Sequence, residues 1–361
     1  MAEYELRLSD QFGQRLPVKL EPLRFRWVRR VNGPGAFEAV FLQDNFPRSW
    51  WRLDWRLEVW RQAEGSKPEL VGIYLLRYRK RETTGGQKIV TVKGPDVVDL
   101  LERRIVAYPA ASAQAAKSGA ADDLMKAYVR ENLGNLATNA ARDLSALDVQ
   151  VQPNLGLGPT ISTSHPWEHL MDALLEIHDL SLEEGTPVYF DLVPLSPRRV
   201  EFRTYIGRRG TDRRKGMLFS MESRNMANPQ LIEDYRDEVN YIYAAGQGEE
   251  EARAVVELPD GTRITASAFN RREALADGRN YEDMDDLTAY GKAKLREGRP
   301  VIEFRAELVQ VEGSRFGVDY NLGDQVRAEY EEELFDCTVA VVDVQVEGGR
   351  ETISAKIEYV D

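Results

Sequence analysis

The sequence predicts an α+β fold that is mainly β, arranged as two antiparallel β-barrels with α+β inserted domains, and three observations predict it. Apolar side chains alternate with charged ones in Leu23-Arg24-Phe25-Arg26-Trp27 and again from Trp51 to Val59, the period-2 pattern of strands with one buried and one wet face. Turn signals punctuate such runs and no long helix separates them, which argues for a small barrel or sandwich rather than a parallel sheet. Strands of the same kind return after a helix-bearing middle, so the chain reads barrel, insertion, barrel, without a fixed-period repeat.

The first barrel is expected over residues 1–104. Asn32-Gly33-Pro34-Gly35 turns the chain before Ala36 to Phe41, and Gly85-Gly86 separates Ile73 to Tyr78 from Ile89 to Val92. Gly94-Pro95-Asp96 ends the run. Asp96 to Arg104 then has helical spacing, with acids early and arginines late as the helix dipole prefers, and reads as a short helix leaving the barrel.

An inserted α+β domain is expected over residues 105–215, with 216–232 offering a return to the first barrel. From Tyr108 to Pro159 the chain is rich in Ala, Ser, Asn and Gly, and only Ala120 to Leu133 carries a helical stripe, in Leu124, Tyr128 and Val129; the rest reads as loop. A second helix is predicted from Pro166, whose fixed φ suits a first helical position, with Trp167, Leu170, Met171, Leu174 and Leu175 on one side and Gly185 as its stop. Strands follow at Pro187 to Val193, Val200 to Tyr205 and Gly216 to Met221, the last two joined by a basic turn.

The second barrel is expected over residues 233–361, with a small helical insertion near 270–300. Its strands are predicted at Val239 to Ala245, Ala252 to Leu258 and Arg263 to Ala268, with Pro259-Asp260-Gly261 as a hairpin turn. An acidic stretch and helix run from Tyr281 to Leu295. Strands resume at Val301 to Val311, Gln325 to Tyr330, Thr338 to Val346 and Glu351 to Tyr359. Asp319 to Asp324 is a turn back into this barrel: Gly323 relaxes the backbone, Asn321 and Asp324 bond to it locally, and Asp324 is expected to be architectural.

The chain's 361 residues exceed what one compact core usually holds, and 42% hydrophobic against 30% charged residues is the balance of a folded protein. No run approaches the roughly 18 to 20 apolar residues of a membrane span, and the N-terminus lacks a secretory pattern, so a chain made and kept in solution is expected. Cys337 is the single cysteine, which excludes an internal disulfide, and its apolar run predicts a buried thiol. The net charge of −12 repels free nucleic acid, yet suits a channel that must let DNA pass without gripping its phosphates.

His165-Pro166-Trp167-Glu168-His169 is a literal His-x-x-Glu-His pattern, which in zinc peptidases needs both imidazoles on one helical face. Pro166 disfavours helical geometry for His165, so His165 or Ser164 is expected to cap the helix with Glu168 in its first turn and no metal. His178 lies nine residues on from His169, off the one-turn spacing. No Gly-x-Ser-x-Gly elbow or phosphate loop occurs, so neither nucleophilic hydrolysis nor a nucleotide cofactor is indicated.

Asp283, Asp285, Asp286 and Glu249 to Glu251 could supply paired carboxylates, but read as solvated surface acids, the first group opening a helix without a metal. The loop from Arg208 to Lys215 could hold an anion or an acidic partner, a solvated hairpin tip being the simpler expectation. Among Trp50, Trp51, Trp55 and Trp60, a conceivable sugar platform, Trp51 and Trp55 share a predicted strand face with Leu53, Leu57 and Val59 and read as core, leaving Trp50 and Trp60 for an interface. No catalytic, cofactor-binding or metal residue is therefore assigned. The rivals kept are a zinc metallohydrolase using His165, Glu168 and His169, and a carbohydrate-binding module using Trp50 to Trp60.

Four passages carry a family resemblance. Val92-Lys93-Gly94-Pro95-Asp96 followed by Leu100 to Ile105 resembles the first-barrel exit of siphophage tail hub proteins, and Trp167 to Leu175 resembles the helix of their inserted domain. Val239 to Gly248, followed by Glu250 and Arg253, resembles their second-barrel entry. Tyr320-Asn321-Leu322-Gly323-Asp324-Gln325-Val326, with the strand from Val339 to Val346, is similar to the closing barrel. The resemblance spans most of residues 20–361.

The resemblance implies a protein like the baseplate hubs of contractile-tailed phages, the N-terminal hub part of tail-associated proteins. Each subunit of such a hub offers two tube-protein-like barrels, and a homotrimer makes a pseudo-sixfold ring beneath the tail tube. It implies a structural virion protein of the tail tip, assembled in the host cytoplasm, with no enzyme activity, cofactor or membrane insertion. Implied partners are the tail tube and distal tail proteins, spike or fibre proteins and the tape measure protein, with DNA passing through the lumen without specific binding. Longer members append a fibre or cell-wall hydrolase; ending at Asp361 after a strand, this chain is expected to be a bare hub.

Overall fold

A computed structural model describes residues 2–63, 65–107, 115–134, 136–137, 139–144, 147–165, 167–248 and 253–359. They form two compact units, one of residues 1–229 and 305–361 and one of 230–304. The fold is mainly β with few helices, as the alternation predicts.

In the larger unit the strands Arg24–Arg30 and Gly33–Leu42 form a hairpin across Asn32, whose φ of 52° is the left-handed turn conformation that asparagine tolerates. Gly33–Leu42 pairs antiparallel with Gln87–Pro95, which turns back through Gly85 and Gly86 (φ 58° and 79°) to pair with Tyr78–Thr84. Two successive positive φ values are what a tight two-residue hairpin turn demands. On its other side Arg24–Arg30 pairs with Glu333–Glu347, setting Phe25 opposite Val346 and Trp27 opposite Val344, and Glu333–Glu347 continues into a hairpin with Arg350–Tyr359. The strand groups assigned by sequence to two barrels thus share one sheet. Cys337 is buried in it, and that burial pushes its thiol up to about 12.

A three-stranded antiparallel sheet joins Glu3–Ser9, Arg56–Gln62 and Glu69–Leu75. Here the sequence reading needs correction. The strand begins at Arg56 because Asp54 turns the chain at φ 57°, leaving Trp51 and Trp55 half-buried outside it and Leu53 exposed. The charged face is not wet either: Arg56 and Glu58 are buried. Arg56 donates to the carbonyls of Pro197 and Gln11 (2.6 Å each), and Glu58 accepts from Trp60 Nε1 (3.0 Å) and from the Ser9 hydroxyl. Period 2 holds, but both faces are covered.

In the middle of the chain Ala115–Ala120 pairs with Thr160–His165, and Val188–Ser196 forms a hairpin with Arg199–Ile206, which pairs in parallel with Asp148–Val151. Ala115–Ala120 and Asp148–Val151 replace expected loop. Apart from Lys117 the first is built of small residues, whose side chains give no alternation to read. Helices Ala121–Asn132 and Leu170–Glu183 bury Leu124, Tyr128, Leu170 and Leu174 in one core with Phe190 and Phe202. The second helix starts at Leu170, later than predicted, and stops at Gly185 (φ 80°); Pro166 lies outside the described residues, as do Glu249 to Ala252.

In the smaller unit Tyr241–Ala245 lies between Val255–Pro259, antiparallel, and Glu273–Asp277, parallel. Helix Met284–Glu297 packs Leu287 against Ile242, Ala244 and Ala276. Gly291 permits the approach, since a Cβ there would meet Leu258 Cδ1 at 2.4 Å and Ala244 Cβ at 2.8 Å. The strand predicted from Arg263 is the short helix Gly261–Thr265, capped by Asp260, which accepts from Arg263 N (3.1 Å). Pro259-Asp260-Gly261 is accordingly a helix start and not a hairpin turn. No helix among the described residues is long and apolar enough to cross a membrane.

Candidate functional site

The His-x-x-Glu-His passage does not form a helix. His165 ends the strand Thr160–His165 and is fully buried, the chain turns through Trp167 at φ 58°, and exposed His169 is the N-cap of helix Leu170–Glu183 without a side-chain capping bond. The expected cap by His165 or Ser164 is therefore absent, and Glu168 precedes the helix. His169 Nδ1–H donates to the Glu102 carbonyl (2.9 Å), while His165 Nδ1 pairs with Glu168. The two imidazoles of the peptidase pattern are thereby separated. His178 is engaged by the Val188 carbonyl (2.9 Å).

The tryptophans do not form a platform. Trp50 meets Phe46 edge-on, and arginines lie over the other rings: Arg79 over Trp51 (5.1 Å), Arg52 over Trp55 (6.0 Å) and Arg7 over Trp60 (4.3 Å). Asp283 opens its helix as expected, accepting from the backbone N–H groups of Asp285 and Asp286.

The basic loop and the Asp319 to Asp324 turn, far apart in sequence, form one clamp. Buried Asp324 accepts from Thr211 N (2.7 Å), Asn321 N (2.9 Å) and Arg213 Nε (2.5 Å). Gly210 N donates to Gly323 O (3.0 Å) and Gln325 N to Thr211 O (3.0 Å). Two glycines allow the contact: a Cβ on Gly210 would sit 2.3 Å from Asp324 Oδ1, and one on Gly323 (φ 85°) 2.8 Å from Arg209 Cβ. Arg214 is also paired within the chain, with Asp212 and Asp336. Arg209, Arg213 and Arg214 are thus engaged within the fold.

Arg209 links the clamp to a buried charge cluster that sequence reading missed. Its guanidinium bonds the Leu322 carbonyl and Asp191; Asp191 also accepts from Arg29 (2.8 Å), whose Nε lies 3.9 Å from Asp96. The legible signal was Asp191 itself, a charge inside the apolar strand Val188–Ser196 that burial obliges to find cations. Burial pushes the Asp96 carboxyl up to about 7 against the pull of Arg29. Asp191 is buried too, but Arg29 and Arg209 outweigh burial and hold it below the usual carboxylate range. The cluster ties Arg24–Arg30 and the end of Gln87–Pro95 to the hairpin Val188–Ser196.

A family model described as Siphovirus ReqiPepy6 Gp37-like protein matches residues 20–357. No curated protein matches the chain. Among solved structures, the prophage MuSo2 43 kDa tail protein from Shewanella oneidensis is similar at TM-score 0.62 and 9% identity, over 99% of this chain and 98% of that one. The tail protein from Neisseria meningitidis MC58 is similar at TM-score 0.58 and 12% identity, over 99% and 96%. Prophage tail protein gp18 from Listeria monocytogenes EGD-e gives 0.52 and 10%, over 98% and 94%. At such identities the likeness is one of fold.

Proposed function

The chain belongs to the Siphovirus ReqiPepy6 Gp37-like protein family, and from that premise we propose that it is the hub of a phage tail tip, a structural virion protein that works by assembly and not by catalysis. Three copies close a ring, each contributing two tube-like barrels, so that a threefold object meets a sixfold tail tube. The observation that carries this reading is the antiparallel pairing of Arg24–Arg30 with Glu333–Glu347, unbroken from Arg24 opposite Glu347 to Arg30 opposite Val341. It fixes the early and late strand groups of one copy to each other, as a subunit that presents two equivalent faces requires.

Closure needs edges that a neighbour can cover. Among the described residues Tyr78–Thr84 pairs on one side only, with Gln87–Pro95, and it is largely exposed. Arg79, Lys80 and Arg81 keep this edge from indiscriminate pairing, and in the ring a strand of the next copy covers it. The excess of acidic groups faces the lumen, where it lets DNA slide past. The tail tube lies on one side, the tape measure protein within, and distal spike or fibre proteins beyond.

Native mass measurement and electron microscopy of the purified chain test the proposal. A trimer or a sixfold-looking ring is expected; a strictly monomeric particle at high concentration would sink it.

A further inference from the structure

We propose that His165, Glu168 and Glu176 form a binding site for a divalent transition-metal cation, with zinc as the ion their donor atoms suit. The strand Thr160–His165 delivers the imidazole, the turn at Trp167 brings Glu168 back against it, and helix Leu170–Glu183 presents Glu176 from its second turn. His165 Nδ1 faces both carboxylates, pairing with Glu168 and lying 3.6 Å from Glu176 Oε2, and one donor atom from each residue falls within 4.8 Å of the others. Nδ1 can carry only one proton and can serve only one carboxylate at a time. A dication bonds all three at once.

The geometry suits that ion. Zinc bonds to imidazole nitrogen and carboxylate oxygen at about 2.0–2.2 Å, which sets the ligand atoms of a tetrahedral site roughly 3.3 Å apart, close to the separation of His165 from Glu176. The buried imidazole is held in place by Tyr128, whose ring meets it edge to face at 4.8 Å, while Glu168 and Glu176 are partly exposed and give an ion its way in. Glu168 withdraws slightly to admit it. Three protein ligands leave a fourth position for water.

The surroundings favour positive charge. Among the described residues Glu168 has no lysine or arginine within ion-pair distance, and the nearby Lys117 is engaged by Glu131 at 2.8 Å. Bound metal fastens the strand end to the helix, so its free energy adds to folding.

This set differs from the one the sequence pattern names. His169 is directed to the Glu102 carbonyl and is not a ligand, whereas Glu176, outside the pattern, is. The full chain, stripped with chelator, is titrated with zinc chloride by calorimetry and its thermal midpoint followed. Expected are one ion per chain and a raised midpoint, with affinity falling at least about tenfold in Glu176→Gln and staying within about twofold in His169→Ala. Circular dichroism of Glu176→Gln, a partly exposed position, verifies folding without reliance on a His165 variant. Absence of zinc binding by the folded wild-type chain, binding indifferent to Glu176→Gln, or binding lost in His169→Ala would each overturn the site. None of these outcomes depends on whether the chain forms a ring.

Discussion

The turn around Asp324 and the passage from His165 to His169 are both short, polar and conspicuous in sequence, and they fold to opposite ends. At Asp324 one buried carboxylate receives three N–H donors, two from backbone and one from Arg213. At His165 two carboxylates converge on a single imidazole nitrogen. A buried carboxylate saturated by donors is a fastening, and its removal should cost stability alone. Carboxylates converging with a buried imidazole present the donor set that a cation can bridge. The arrangement of the donors, rather than residue type, separates the two.

The strongest way to break this comparison is to unsaturate the fastening. Asp191→Ala leaves Arg29 and Arg209 facing each other without their shared carboxylate. A loss of about 3–5 kcal/mol is expected, the usual cost of stranding buried charge. Equilibrium denaturation measures it, and a loss under about 1 kcal/mol would mean that water already serves these arginines.

Asp96 sharpens the comparison through pH. Its carboxyl, raised by burial to about 7 from an ordinary 3.8, keeps a proton that the unfolded chain has released. Stability therefore falls as pH rises between those two values and levels off above. Asp191, held low, works the other way: its contribution is present above the ordinary carboxylate range and is lost as pH falls. Denaturation curves across this range should show Asp96→Asn removing a decline on the order of 4 kcal/mol. An unchanged slope would place the titration elsewhere.

Next in size is the close approach at the clamp. Gly210→Ala places a methyl 2.3 Å from Asp324 Oδ1 and 2.5 Å from Asp324 N, so the loop must lift off the turn. A cost of about 1–3 kcal/mol is expected, with faster amide exchange at Thr211 and Gln325. Exchange that stays slow would show that the loop is held by Arg213 and Arg209 alone.

Much of the strand order was legible because period-2 alternation and glycine turns are local signals: Asn32, Gly85 and Gly86 turn where the sequence places turns. What escaped was nonlocal. Nothing within Trp51 to Val59 tells that Pro197 and Gln11 cover the charged face, or that Ala115–Ala120 finds a partner in Thr160–His165. Asp324 was read as architectural from its turn chemistry, and its bond from Asn321 N is local as expected, yet its two further partners, Thr211 and Arg213, lie more than a hundred residues away. The helix was expected to open at Pro166 and opens instead at Leu170, because nothing local in the sequence tells that the backbone turns at Trp167.

The smallest effect compares two helix starts. Asp283 caps helix Met284–Glu297, accepting from Asp285 N (2.8 Å) and Asp286 N (3.2 Å), whereas His169, at the same position of helix Leu170–Glu183, makes no capping bond. Asp283→Ala should cost about 1 kcal/mol, the usual price of a lost N-cap. It should appear as faster amide exchange in the first turn of Met284–Glu297 and nowhere in Leu170–Glu183. His169→Ala removes no cap and should leave exchange in the first turn of its own helix unchanged. If both variants loosen their helices equally, His169 holds its helix through Glu102 as firmly as a cap would, and its place outside the metal site has a structural reason of its own.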